Sequence, residues 1–200
     1  MKYWLSTLIL IQCLCINART LNKAATIGLS TSHPKELESF WGYETGIKGE
    51  YIIFPNKAFY FSSALSYANK GWNMNIFDLE GKQHKWECDV FYLEVPLYIG
   101  YKHEFSGSTN IFCELGPYFA IGLWGHSHLN VGEESLNNKK VFQNEYRRFD
   151  SGGRINVGFG FRQWSWSLGY SHNLIKPTRG DWKKINPQGS SWHFNIFYFF

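Results

Sequence analysis

Two groups of residues in this 200-residue chain have types and spacings that could carry chemistry. His126 and His128 stand two apart with Glu133 and Glu134 within reach, a set of imidazole and carboxylate groups that suits a surface metal site. No second ligand pair follows at a fixed spacing, so the segment reads as a solvated loop and no metal is assigned. His33, His84, His103, His172 and His193 are dispersed, and no Ser or Asp accompanies them at a catalytic spacing. No catalytic residue and no cofactor is therefore nominated. The second group is Lys48, Glu50, Glu94, Lys102, Glu114, Arg154 and Arg162. Each falls on the polar or small side of an alternating segment whose other side is apolar. If that polar side lines a closed interior, these charges must form a pairing network, because an unpaired buried charge is strongly destabilising. The functional alternative is a proton or ion path.

The elements that would position them are strands. Period-two alternation recurs at 24–31, 43–54, 58–67, 86–102, 110–124, 154–163, 164–173 and 191–200, which makes eight. In the fourth, Phe91, Leu93, Val95, Leu97 and Ile99 alternate against Tyr92, Glu94, Pro96, Tyr98 and Gly100. The seventh sets Trp164, Trp166, Leu168 and Tyr170 against Ser165, Ser167, Gly169 and Ser171. A soluble barrel or sandwich would place the apolar set inside and clothe the outside with charge, but here the second face is too rich in Gly and Ser for a solvent surface. Small residues with a few charges suit the narrow inside of a barrel. The connections alternate short and long: 55–57, 103–109 and the passage at Gln163 are tight, while 32–42, 68–85, 125–153 and 174–190 are long and polar. This is the order of an up-and-down transmembrane barrel. Pro96 and Pro117 cannot donate ladder hydrogen bonds, so each is expected at a bulge or kink.

The last segment, Ser-Trp-His-Phe-Asn-Ile-Phe-Tyr-Phe-Phe, ends on Phe200. A transmembrane barrel closes its last strand onto its first, so Phe200 is read as the signal for assembly by the barrel-assembly machinery. The count of 9 Trp, 12 Tyr and 17 Phe calls for an interface to hold them. Trp41, Tyr43, Tyr67, Trp72, Trp86, Tyr101, Trp124 and Trp164, near segment ends, are expected to form two interfacial girdles. The mean hydropathy of −0.31 and the lack of a long apolar run exclude a helical membrane protein. A net charge of +4 with scattered positive residues excludes a nucleic-acid interface. At the front, Lys2 and the apolar run that follows predict a cleaved signal peptide over 1–18, leaving a barrel domain over 19–200. Gln12 and Leu14 precede Cys13 and Cys15, so lipid anchoring is not expected. Cys88 and Cys113 fall at opposite ends of neighbouring strands and are read as unpaired.

Residues 92–102 (Tyr-Leu-Glu-Val-Pro-Leu-Tyr-Ile-Gly-Tyr-Lys) and 114–123 (Glu-Leu-Gly-Pro-Tyr-Phe-Ala-Ile-Gly-Leu) resemble the PorT-like outer-membrane β-barrel family. Residues 62–72 resemble its third strand and 158–174 its sixth and seventh. The chain departs from the pattern at 26–34, where the first strand reads as short. The resemblance implies an all-β, eight-stranded antiparallel barrel in a bacterial outer membrane and says almost nothing about activity. The expected function is non-enzymatic, giving the envelope structure or presenting loops to a protein partner. The family name implies an alternative, an accessory part of a protein-secretion apparatus; a lipid-modifying or proteolytic barrel enzyme is a third reading. Lys139-Lys140, Arg147-Arg148 and Lys183-Lys184 could touch lipopolysaccharide phosphates, although ordinary solvation explains them as well. Outer-membrane lipid is the expected surround, and an eight-stranded lumen is too narrow for a sieving pore.

Overall fold

The computed structural model describes residues 21–34, 38–53, 58–77, 83–131, 134–142, 147–175 and 189–200. The expected signal peptide and its cleavage point lie outside these residues. The described residues form nine strands and no helix: β1 (Leu21–Pro34), β2 (Phe40–Ile52), β3 (Phe59–Phe77), β4 (Gln83–Ser106), β5 (Thr109–Val131), β6 (Glu134–Lys140), β7 (Phe149–Phe161), β8 (Trp164–Asn173) and β9 (Gly189–Phe199). Eight of them close a ring in which every neighbour is antiparallel, running β1-β2-β3-β4-β5-β7-β8-β9 and back to β1. The last strand does meet the first: Ile27 lies opposite Ile196 and Ala24 opposite Phe199. Closure leaves no open edge at membrane depth, where an unpaired backbone group has no water to turn to.

Three expectations are corrected. The first strand is not short; β1 runs 14 residues and pairs along its length with both β2 and β9. The segments read as long loops at 68–85 and 125–153 are largely strand. There β3, β4 and β5 reach 19, 24 and 23 residues, and β6 pairs with the far end of β5. The prolines are not at bulges. Register shifts occur between Phe91 and Tyr92 and between Glu104 and Ser106, whereas Val95↔Phe119 and Ile99↔Leu115 keep one register across Pro96 and Pro117. Pro96 removes one donor without displacing its strand, and nearby Gly116 leaves room for the Leu97 carbonyl, which lies 1.9 Å from where a Cβ would be.

Alternation becomes an inside and an outside. Ile27, Leu29, Ile47, Leu97, Ile99, Leu115, Val157 and Leu168 are exposed on the outer wall, while Ser62, Ser66, Ser165, Ser167 and Asn195 are buried within. An exposed apolar belt of this extent has no stable contact with water and marks a lipid-facing surface. Toward the tight turns the belt ends in Phe59 and Tyr101, 5.1 Å apart, and Trp164 and Tyr198, 4.9 Å apart. At the other end Tyr67 stacks on Phe91 at 5.6 Å beside Trp124, and Tyr170 meets Trp192 at 5.1 Å. The girdles lie eight residues apart on β2 (Tyr43 to Tyr51) and ten on β4 (Phe91 to Tyr101). At about 3.4 Å per residue and a tilt near 40°, that is about 21 to 26 Å, the height of a barrel's apolar band. Trp72 and Trp86 do not belong to a girdle. They point inward above it and pack with Cys88, Val90, Tyr92 and Val141, so β3 to β6 rise as a one-sided wall beyond the membrane.

Candidate functional site

The lumen is the densest collection of chemically capable groups, and its strands place them in two tiers. The tier nearer the tight turns is built by β2, β3, β4 and β5. Lys48 Nζ donates to Glu114 Oε1 at 2.5 Å and lies 3.2 Å from Glu50 Oε1; Lys102 Nζ donates to Glu50 Oε2 at 2.7 Å. Glu114 also accepts from Ser62 Oγ at 2.9 Å, Tyr60 OH at 3.1 Å and Asn156 Nδ2 at 3.2 Å. Two cations and two carboxylates therefore balance, and the Lys48 ammonium rests 4.6 Å from the centre of the Phe197 ring. Charges so far from water persist because each has a partner and further hydrogen bonds.

The second tier lies nearer the long connections. Arg154 pairs with Glu94 and stands 3.7 Å from Glu44. Lys70 Nζ sits 2.6 Å from Glu94 Oε2 and 3.7 Å from Asp150 Oδ2, and 4.6 Å above the Tyr118 ring. Asp150 accepts from Tyr118 OH at 3.4 Å and from Asn173 Nδ2 at 3.2 Å. His193 completes the tier, its Nδ1 3.4 Å from Glu44 Oε2 and its Nε2 2.9 Å from Ser171 Oγ. Between the tiers is a cavity of about 20 Å³, lined among others by Glu44, Arg154, Lys48, Glu114, Asn156 and Phe197, which is room for one water. Lumen width is set by glycine. A Cβ on Gly28 would fall 1.8 Å from Asn195 Oδ1, and one on Gly169 2.2 Å from Asn156 Oδ1, so the asparagine amides occupy notches that those residues leave open.

Of the residues read from the sequence, Lys48, Glu50, Glu94, Lys102, Glu114 and Arg154 line this lumen. Arg162 does not. It occupies the turn between β7 and β8 at φ 55°, exposed, with its guanidinium 5.3 Å from the Phe161 ring centre. A two-residue turn forces one residue to positive φ and outward, which parity alone does not reveal. Sequence reasoning missed Glu44, Lys70, Asp150 and His193. Glu44 shares the parity of Lys48 and Glu50, so that signal was present; Lys70 and Asp150 fell in supposed loops. Phe200 extends past β9, its N–H donating to the Lys23 carbonyl at 3.0 Å. Cys88 lies opposite Ser127 and Cys113 opposite Tyr101, and no disulfide joins them.

Ser171, His193 and Glu44 come from three strands that meet only on closure, and their order is that of a nucleophile, base and orienting acid. Ser171 and His193 are each 1 % exposed, and while His193 Nε2 is hydrogen-bonded to Ser171, its Nδ1 lies near Glu44 Oε2 without a hydrogen bond between them, so in this conformation the three groups are sealed within the barrel. Toward the outer mouth, β3 to β5 are stoppered by Val141 and Phe142. Phe142 fills the space above Gly122 and meets the Tyr92 ring edge-on at 6.1 Å. Arg148 holds that segment down, donating to the Gly122 and Leu123 carbonyls at 3.1 Å each with its guanidinium 5.1 Å from the Phe142 ring centre. Arg148 is thus engaged by the barrel itself. Lys183-Lys184 and Glu133 lie outside the described residues. His126 and His128 are on β5, in ordered strand, and not in a loop.

A family model described as an outer membrane protein beta-barrel domain matches residues 17–178. No curated protein sequence matches the chain. Among solved structures, the outer membrane protein OprG from Pseudomonas aeruginosa is similar over 90% of this chain and 96% of its own, with 11% identity and a TM-score of 0.51. Neisserial surface protein A is 11% identical over 90% of this chain and 97% of its own, with a TM-score of 0.47. The outer membrane enzyme PagL is 14% identical over 88% and 97%, with a TM-score of 0.41. At these identities the likeness is one of fold.

Proposed function

The chain belongs to the outer membrane protein beta-barrel domain family, and from that premise we propose that it is a non-enzymatic protein of the bacterial outer membrane whose wall above the bilayer meets an envelope partner. One observation carries this: β3 runs 19 residues, β4 24 and β5 23 against 10 for β8 and 11 for β9, and β6 widens them into a sheet outside the membrane. Spanning alone needs about 9–11 residues per strand, so the excess chain is spent on a surface. The lumen argues against transport, since paired side chains and the Val141–Phe142 stopper occupy it. Export by the predicted signal peptide and insertion by the barrel-assembly machinery belong to the same reading.

A photo-crosslinking residue at Asn73 or Glu87, on the wall's outer face, tests this in intact cells. A discrete adduct with one envelope protein is expected, with none from the same group at Leu115 in the lipid belt. Lipid adducts alone from both wall positions would overturn the proposal. The finer resemblance to the PorT-like family supports a more specific version, in which the partner belongs to a protein-secretion apparatus; co-purification with a large envelope complex is its expected sign. A second reading has its own observation, the Ser171–His193–Glu44 order. A hydrolytic barrel would bind a fluorophosphonate covalently at Ser171 only while folded, and absence of label on the folded protein removes it.

A further inference from the structure

Among the described residues, a group of chemically capable side chains that the lumen and the wall's proposed role leave unused lies on the outer side of β4 and β5. In the ladder, His126 is directly opposite Asp89 and His128 directly opposite Glu87. All four therefore project from one face, one and two steps beyond the Phe91 and Trp124 of the girdle. This places them at the level of lipid headgroups and water. The imidazoles are 6.2 Å apart between ring centres and 29° from parallel, a separation from which two ring nitrogens can converge on one ion about 2.1 Å from each. Glu87 is already held by Lys85 Nζ at 2.5 Å. Asp89, half-buried, feels the charges of Glu87 and of both histidines.

We propose that His126, His128 and Asp89 form a binding site for a late first-row divalent cation of the Zn²⁺ or Cu²⁺ class on the outer wall of the barrel. Two imidazoles with one carboxylate select such ions, while Ca²⁺ and Mg²⁺ prefer all-oxygen sets. Among the described residues no three such side chains already converge on one point, so the ion draws the three together by side-chain rotation on a fixed backbone. The open side of the sheet supplies the remaining positions from water. Metal here would tie β4 to β5 above the membrane, at the root of the projecting wall.

The test is titration of ZnCl₂ into the detergent-folded full-length protein by calorimetry, with His126→Ala, His128→Ala, Asp89→Asn and, as a control at the opposite end of β4, His103→Ala. One Zn²⁺ per chain is expected, with affinity falling about tenfold or more for either of the first two variants and unchanged for the control. Equimolar Ca²⁺ should not compete. No zinc binding by the wild type, or binding that survives loss of both histidines, overturns the proposal. A measurement without variants guards against misfolding: Zn²⁺ should protect His126 and His128, and not His103, from diethylpyrocarbonate as read by mass spectrometry. Equal modification with and without zinc would be equally decisive against the site.

Discussion

Replacing Glu114 by Gln removes one buried negative charge at nearly constant volume and probes whether the lumen is held by pairing. Its carboxylate takes four hydrogen bonds, from Lys48, Tyr60, Ser62 and Asn156. At an effective dielectric near 20, the 2.5 Å contact with Lys48 is worth about 7 kcal/mol of attraction. The desolvation no longer suffered by a carboxylate returns part of this. The ammonium that remains must share Glu50 with Lys102, so a net loss of about 3–5 kcal/mol is expected. Lys48→Met should cost less, because the longer contacts to Glu114 persist and Met can fill the space against Phe112 and Phe197. The double variant should lose less than the sum by about 2 kcal/mol or more. The assay is equilibrium urea unfolding of protein refolded into lipid vesicles, followed by tryptophan fluorescence, with the heat-dependent gel shift confirming closure. A Glu114→Gln barrel within about 0.5 kcal/mol of the wild type, or strictly additive single changes, refutes the pairing argument.

Gly28→Ala should destabilise by about 2 kcal/mol, since its Cβ meets Asn195 Oδ1 and the Phe194 carbonyl, whereas Gly153→Ala, with nothing within 4 Å, should be silent in the same unfolding assay. Deleting Phe200 removes the Lys23 contact at the closing seam and should impair insertion while leaving export intact, which fractionation with protease accessibility reads directly. Normal insertion would refute its role in assembly. Outside the membrane, burial first and Glu87 second raise the Asp89 carboxyl above its ordinary value. A raised folded pKa means stability that is fully present below the unfolded value and lost as pH rises through the folded one. In metal-free buffer Asp89→Asn should therefore gain slightly at neutral pH and abolish that acid-side dependence in thermal gel-shift curves.

The barrel was legible because lipid enforces a simple rule over runs of seven or more consecutive residues. Leu93 to Ile99 and Trp164 to Tyr170 alternate without exception, and tight turns such as Gln163 stand out between them. The wall was not, because the same rule reverses there. From Phe91 downward Leu93, Leu97 and Ile99 of β4 point out; above it Val90, Cys88 and Trp86 point in, with Asp89 and Glu87 facing water. Read with membrane logic, the polar outer residues of Asn69-Lys70-Gly71-Trp72-Asn73-Met74 look like a loop, although Trp72 and Met74 keep period two. Lys70 and Asp150 were lost with those segments. Ser171, His193 and Glu44 could not be read as a set for another reason: β8 and β9 are neighbours, but only ring closure through β1 brings β2 beside them.

The reversal at Phe91 also acts as a depth gauge. A slide of the barrel by one pleat along the bilayer normal would either sink Asp89 and His126 into hydrocarbon or lift Phe91 and Trp124 clear of it, and both are resisted. The bilayer therefore fixes the height of the wall to within about one pair of residues, roughly 7 Å of chain. A partner on the same membrane would always find that wall at the same altitude, with no tether or scaffold needed to set it.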